Sequence, residues 1–454
     1  MRKIIPPPLL YLLILTLVNH LLWSAIIPFA GFPYGAPDEI HHFEVTKFIA
    51  QTGRMPIFGP DKDIYIRVRP GAEDNIFNRI YGWYALFPCG AYILAGLFTR
   101  VLPLMIPPTQ QIFVARLLSV FCNLCLVYFA YKIAVHIFPK DRFLRWGVPV
   151  LVSTVPQVVF VGSYHNPDAL TTAATTASMF LGLRFLNNRQ VRRTDALLLG
   201  LVLSLVTLAK LNGWLVSFLF TGIVLLLSLR KMTKALWIQL ILIVMPPALV
   251  LGSWFLFQQR HYGDILARNV FRASWTTDRP SFTPLAQQGY NVLTFLLHTN
   301  WLEMTFKSFW GVFGYMSVQL HRVFYWGLLL LCLASLAGLA KGAIDRLKCR
   351  NLDLRSREMQ ALGIFALVTV VLIAAAAYNS FYNDYQAQGR YLFPALVPIC
   401  IFLLLGWREI LFTSHWRSIG LLLLSIGMPL FNLLCLLAYV IPGMVMPVQE
   451  QWFF

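Results

Sequence analysis

The sequence predicts an all-α integral membrane protein with about eleven transmembrane helices, and three observations predict it. Of 454 residues, 58% are hydrophobic and 12% charged, and the mean hydropathy is +0.66, far above that of a soluble globular chain. Apolar runs of about 20 residues, the length that crosses a bilayer, recur from end to end. The basic residues behind the formal net charge of +18 fall mostly in short loops between those runs, which is how orientation is fixed. The charge is therefore read as topology plus contact with anionic lipid, and nucleic acid is not an expected partner.

The first run, residues 9–30, follows a basic head resembling a signal peptide, but its length predicts a retained anchor. Further runs lie near 111–138, 145–163, 168–186, 195–228, 235–257, 322–341, 359–378, 391–407 and 417–441. The 195–228 run is too long for one span and breaks at AKLNGW, giving two. Residues 83–104 are ambiguous, because a full span there would invert everything after it. If they lie at the interface or re-enter, KDRFLR, NNRQVRR, LRKMTK, KGAIDRLKCRNLDLRSRE and WREILFTSHWR all share the cytoplasmic side, as the positive-inside rule demands. The N-terminus is then cytoplasmic, and two long extracytoplasmic loops, 31–110 and 258–321, carry interfacial helices. Residues 1–454 read as one polytopic domain, without repeat or low-complexity tract. Seven cysteines, at 89, 122, 125, 332, 349, 400 and 435, show no disulfide or zinc-ribbon spacing. Cys122 and Cys125 form a CxxC within a span and read as small core residues.

The informative stretch is PDEIHHFEVTKFIAQTGRMP, directly after the first span. Pro37, Asp38 and Glu39 suit the first turn of a helix, and Gly53 and Pro56 its end. A helix from Pro37 to Thr52 lying along the membrane surface would turn Ile40, Phe43 and Phe48 toward lipid or core. Asp38 and Glu39 could simply cap it, with His41 and His42 as polar filler. Ionisable groups at the end of a span more often mark a functional cavity. Glu39 and His42 form ExxH, but no second ExxH and no HExxH occurs, so an oxidase or zinc protease is not expected. Neither GxGxxG nor a P-loop is present.

This stretch resembles the first-loop signature of bacterial GT-C membrane glycosyltransferases, a multi-span family akin to the protein O-mannosyltransferases and the lipid A aminoarabinose transferase. SYHNPDALTT, TFKSFWGVFGY and AQGRYLFPALVP agree with it in order. The resemblance implies transfer of a sugar from a polyprenyl-phosphate donor to a hydroxyl of a glycan, lipid or protein acceptor. It places the reaction on the outer face of the bacterial cytoplasmic (inner) membrane, in cell-envelope modification, by direct displacement with inversion. Such chemistry needs a carboxylate for the acceptor proton, cations for the departing phosphate and a groove for the lipid. Asp38 matches the catalytic acid and is the expected general base, with Glu39 as its catalytic neighbour, either orienting the acceptor or binding a divalent cation. Asp168 matches a second acid, or caps its own helix together with Asn166 and Pro167. Lys210 either faces the carrier phosphate or snorkels, and Arg390, followed by Tyr391, grips phosphate or pairs with Asp384. His42 and Lys307 complete the expected substrate-binding set. The familiar pattern often has two aspartates where this chain has Asp-Glu followed by two histidines. That departure leaves open whether a divalent cation sits at Asp38, Glu39 and Asp168.

Two other classes remain. A transporter or flippase of lipid-linked glycans would place ionisable residues near the midplane and show inverted repeats of hydropathy. A noncatalytic assembly subunit would leave Asp38 dispensable. The aromatics Trp275, Trp301, Trp310, Tyr315, Phe381, Tyr382 and Tyr385 could stack on sugar, or form the aromatic belts found at membrane interfaces.

Overall fold

A computed structural model describes residues 5–32, 34–61, 82–88, 90–101, 110–187, 192–228, 234–278, 283–348, 353 and 356–447. Cys89, Cys349, parts of the first long loop (62–81 and 102–109) and parts of three basic loops lie outside the described residues. Among the described residues the fold is all-α apart from one short hairpin.

Every expected apolar run is a helix: α1 (Pro7–Ile26), α4 (Gln111–Ile137), α5 (Arg142–Thr154) with α6 (Pro156–Ser163), α7 (Pro167–Asn187), α8 (Arg193–Thr207), α9 (Leu211–Ser228), α10 (Lys234–Tyr262), α14 (Arg322–Lys348), α15 (Arg357–Tyr382), α16 (Leu396–Ile410) and α17 (Ser414–Cys435). Among the described residues, eight helical stretches are individually long and apolar enough to cross a membrane, or nine if α5 and α6 count as one span bent by 55°. The bend falls at Val155–Pro156, where the proline ring cannot continue the hydrogen-bond ladder. α8 is short and α7 is rich in Thr, so neither meets that measure alone. Polar caps start several helices: Asp141 accepts from the Leu144 N–H, Ser356 from Met359 and Thr413 from Trp416.

The remaining elements belong to the two long loops. α2 (Glu39–Thr52) and α3 (Gly90–Val101) pack on each other and on α4. With 12 residues, α3 is about 18 Å long at the α-helical rise, short of the roughly 30 Å hydrocarbon core. α2 departs from expectation in two ways. It begins at Glu39 rather than Pro37, and it is buried in protein rather than lying open on a surface: Glu39, His42, Glu44 and Thr46 are buried as well as Ile40, Phe43 and Phe48. The second loop holds α11 (Arg268–Asp278), α12 (Val292–His298), α13 (Trp301–Trp310) and an antiparallel hairpin of β1 (Val312–Phe313) and β2 (Val318–Gln319).

Close helix approach depends on small residues, as expected where no hydrophobic drive separates protein from lipid. A Cβ on Gly406 would lie 2.0 Å from the Ser335 carbonyl oxygen, so α14 and α16 touch backbone to backbone. The turns α6–α7, α8–α9 and α15–α16 gather at one end of the bundle with α2, α3 and the hairpin.

Candidate active site

At that end, local chemistry frees one carboxylate. Asp38 precedes α2 with φ 59° and ψ 8°, and its side chain caps nothing. The left-handed region is unusual for a residue with a Cβ but accessible to Asp. The Asp38 N–H donates to the Tyr315 hydroxyl (3.1 Å), and its carbonyl accepts the His42 N–H (2.9 Å). Tyr315 sits at the hairpin tip, between Gly314 and Met316, both at positive φ. The hairpin itself is tied down by Gln157 Oε1, which accepts from the Val312 N–H (2.8 Å), and by the Tyr325 hydroxyl, which donates to the Gly311 carbonyl (2.7 Å). The carboxylate thus meets the cavity instead of the helix terminus.

Glu39 has a different position. It is 1% exposed, and Arg116 of α4 grips it in a fork, Nε–Oε1 2.7 Å and Nη2–Oε2 2.5 Å. The His165 N–H also donates to Oε1 (2.8 Å). Arg116 Nη1 donates to the Ser24 and Ile27 carbonyls (2.6 and 2.9 Å), satisfying groups the end of α1 leaves open. Glu39 therefore anchors α1, α2, α4 and the α6–α7 turn, and it lines neither cavity described below.

In the α6–α7 turn Asn166 does the capping: its Oδ1 accepts from Asp168 N (2.8 Å) and Ala169 N (3.3 Å). This leaves the Asp168 carboxylate to face two cations. Lys210 Nζ lies 2.7 Å from Oδ1, and Arg390 Nη1 lies 3.8 Å from Oδ2. The second separation is too long for a hydrogen bond. Lys210 occupies the α8–α9 turn, its N–H donating to Thr171 Oγ1 (3.2 Å). Arg390 is the second residue of the helical turn Gly389–Ala395. It is held by Gln388 Oε1 (2.7 Å) and the Tyr164 hydroxyl (3.1 Å) rather than by Asp384. Only glycine fits beforehand, since a Cβ on Gly389 would sit 2.2 Å from the Phe309 backbone nitrogen. Both cations lie near the Tyr391 ring, at 5.6 and 5.7 Å.

Two cavities meet here. One, of about 560 Å³, has Asp38, His42, Lys210, Arg390 and Tyr391 on its wall and continues along Leu211, Leu215, Leu372 and Ala375. The other, of about 100 Å³, lies between the hairpin tip, Tyr164 and Gln388. Asp38 and Arg390 belong to both walls. Tyr84, in the turn Gly82–Leu86, is pushed well above the ordinary phenol range, first by burial, then by the Asp38 charge, with a hydrogen bond to that carboxylate adding to it. The structure thus gathers Asp38, His42, Asp168, Lys210, Arg390 and Tyr391. Lys307 stays apart, paired with Glu303 (2.5 Å) and lying over the Tyr325 ring.

The donor set does not fit a resident divalent cation, because Glu39 is committed to Arg116 and Asp168 to Lys210. Among the described residues, no three His, Cys, Asp or Glu side chains cluster.

Two histidines are buried here without charge. Burial, then neighbouring cations, hold His42 well below 6.5, and burial pushes His165 down to about 3. Their contribution to stability is fully present above 6.5, the unfolded value, and is lost as pH falls toward the folded values. Thermal unfolding in detergent is expected to occur at lower temperature as pH drops from 7 to 4, and His165→Asn to flatten that slope. An unchanged slope in the variant would refute the assignment.

Tyr84, Tyr92, Tyr164, Arg116 and the role of Tyr315 had not emerged from the sequence. Only Arg116 carried a signal: an arginine within an apolar run must find a buried partner.

The chain belongs to the family described as "Predicted membrane protein (DUF2142)", whose family model matches residues 91–399. Its fold is GT-C-like. The oligosaccharyltransferase of Archaeoglobus fulgidus, solved tethered with an acceptor peptide containing the NVT sequon, superposes with a TM-score of 0.50 at 11% identity, over 93% of this chain and 54% of that one. The chain thus spans about half the length of that enzyme. ArnT from Cupriavidus metallidurans, solved bound to undecaprenyl phosphate, gives 0.46 at 13% identity, over 96% of this chain and 73% of that one. No curated protein sequence matches the chain.

Proposed function

We propose that this membrane protein is a GT-C-type glycosyltransferase that moves a sugar from a polyprenyl-phosphate donor to an acceptor hydroxyl, with inversion at the anomeric carbon. The observation that carries the reading is the pair Asp38 and Arg390 on the shared wall of two unequal cavities. The larger suits a lipid-linked donor, its apolar stretch taking the tail and its cationic end the phosphate. The smaller admits the acceptor hydroxyl.

In this reading Asp38 takes the acceptor proton as the oxygen attacks the anomeric carbon. The bond from that carbon to the phosphate oxygen breaks, and its electron pair leaves with the phosphate. Lys210 and Arg390 stabilise that charge in a site of low polarity. Asp168 sets the positions of the two cations, and the loose contact to Arg390 leaves the guanidinium available to the phosphate oxygens. The product is a glycoside with a free polyprenyl phosphate, and Asp38 returns its proton to water. Glu39 is assigned anchoring, and Lys307 no catalytic part. The described basic turns 140–145 and 407–417, which meet through Arg408 and Asp141 away from the site, support an orientation with the site facing outward from a bacterial cytoplasmic membrane. The acceptor is a glycan, lipid or protein hydroxyl.

Binding tests the donor site. In nanodiscs, Arg390→Ala is expected to weaken a short-chain polyprenyl phosphate by about 10- to 100-fold, as loss of a charged hydrogen bond of roughly 1.5–3 kcal/mol implies. Wild-type affinity in the variant would count against the reading.

A further inference from the structure

We propose that His42, Tyr84 and Tyr92 form the subsite for the sugar of the donor, and that this sugar is uncharged. The inference rests on the donor reading above and adds to it the chemical class of the transferred group.

Position is the first argument. The anomeric carbon must lie between the base and the phosphate, hence between Asp38 and the Lys210–Arg390 pair. The stretch of cavity wall beside Asp38 is aromatic: Tyr84, His42 and Tyr92 all border the large cavity. Their rings pack as a unit, with His42 at 4.7 Å edge-on to Tyr84 and at 5.5 Å stacked on Tyr92. Aromatic rings with a few fixed polar atoms suit a pyranose, whose C–H face is apolar and whose rim carries hydroxyls.

Polar chemistry is the second. The Tyr92 hydroxyl and His42 Nδ1 are 2.7 Å apart. With the Tyr92 proton donated to Nδ1, the imidazole carries its own proton on Nε2 and offers a sugar hydroxyl an uncharged donor. Burial beside two cations keeps that ring neutral.

Charge is the third. The carboxylate on this wall is Asp38, the proposed base. A cationic amino sugar would pair with it and quench it, while an anionic sugar would compete with the phosphate for Lys210 and Arg390. The wall therefore matches a neutral sugar on a single phosphate.

The test compares affinities in nanodiscs for a short-chain polyprenyl phosphate, its neutral glucosyl, mannosyl and galactosyl esters, and its glucosaminyl ester. We expect at least one neutral ester to bind about tenfold tighter than the sugar-free lipid, as one or two well-made hydrogen bonds provide. Tyr92→Phe, and independently His42→Ala, should lower affinity for that ester more than for the sugar-free lipid and so remove most of the gain. The glucosaminyl ester should show no gain. No gain from any neutral ester, a gain that survives both substitutions, or an equal gain from the amino sugar would overturn the subsite. Failure of the sugar-free lipid to bind the wild-type protein would overturn the donor reading and the subsite with it.

Discussion

Asp38→Asn is expected to lower transfer by about 10²- to 10⁴-fold, the contribution of a positioned general base, while the protein folds as before. The two halves of that expectation rest on different atoms. Folding uses the backbone of Asp38: its N–H meets Tyr315 and its carbonyl starts α2. Asparagine retains both and tolerates the left-handed conformation. The carboxylate makes no capping hydrogen bond, so exchanging it for an amide removes no helix-terminal interaction. What is lost is the ability to take a proton, together with the negative charge that faces Tyr84 and Arg390. Alanine would be a poorer probe, because a residue without a local polar side chain is strained at φ 59°. The measurements are turnover of a lipid-linked sugar and the unfolding midpoint of the same preparation. Wild-type turnover would remove Asp38 as the base, and a large fall in the midpoint would show that its carboxylate holds structure.

The bundle was legible in the sequence because bilayer physics leaves few options: the backbone must bond to itself, so apolar length becomes helix. The break at AKLNGW and the order of all the long runs follow from the sequence, whereas the bend at Val155–Pro156 does not, since 145–163 reads as one run. The site was legible only where a rare group stands out against apolar surroundings. Asp38, Asp168, Lys210 and Arg390 were visible for that reason. Their partners were not, since Asp168 and Lys210 are brought together by tertiary packing of two helical turns. Tyr84, Tyr92 and Tyr164 were hidden because tyrosines are common wherever membrane proteins meet water. Asp38 and Glu39 looked equivalent as neighbours, yet one left-handed residue turns the first to the cavity and the second into the core. Lys307 shows the converse: its motif resembled a substrate-binding one, but an acid one helical turn away, Glu303, takes its charge.

Glu39→Ala is expected to have the largest effect on stability in the molecule. It would leave the Arg116 guanidinium, itself 1% exposed, with its fork empty, and an uncompensated buried charge costs about 3–5 kcal/mol. The loss would spread, because Arg116 also completes the carbonyls that end α1, and Glu39 also takes the His165 N–H. The expected result is poor recovery of folded protein or a strongly lowered unfolding midpoint, with transfer falling in proportion to folded material. Glu39→Gln should be milder, since the amide oxygen can still accept from Arg116 and His165. Replacing both partners, Glu39→Met with Arg116→Met, removes the stranded charge and should recover part of the stability. Recovery would stay incomplete because the Ser24 and Ile27 carbonyls lose their donor. The outcome separates two roles that adjacent acids could share. If Glu39→Ala instead unfolds at the wild-type temperature and loses only turnover, Glu39 takes part in the reaction and the anchor account fails. If stability collapses and the double replacement restores it in part, the catalytic carboxylate is Asp38 alone, and its neighbour serves to hold the turn that presents it.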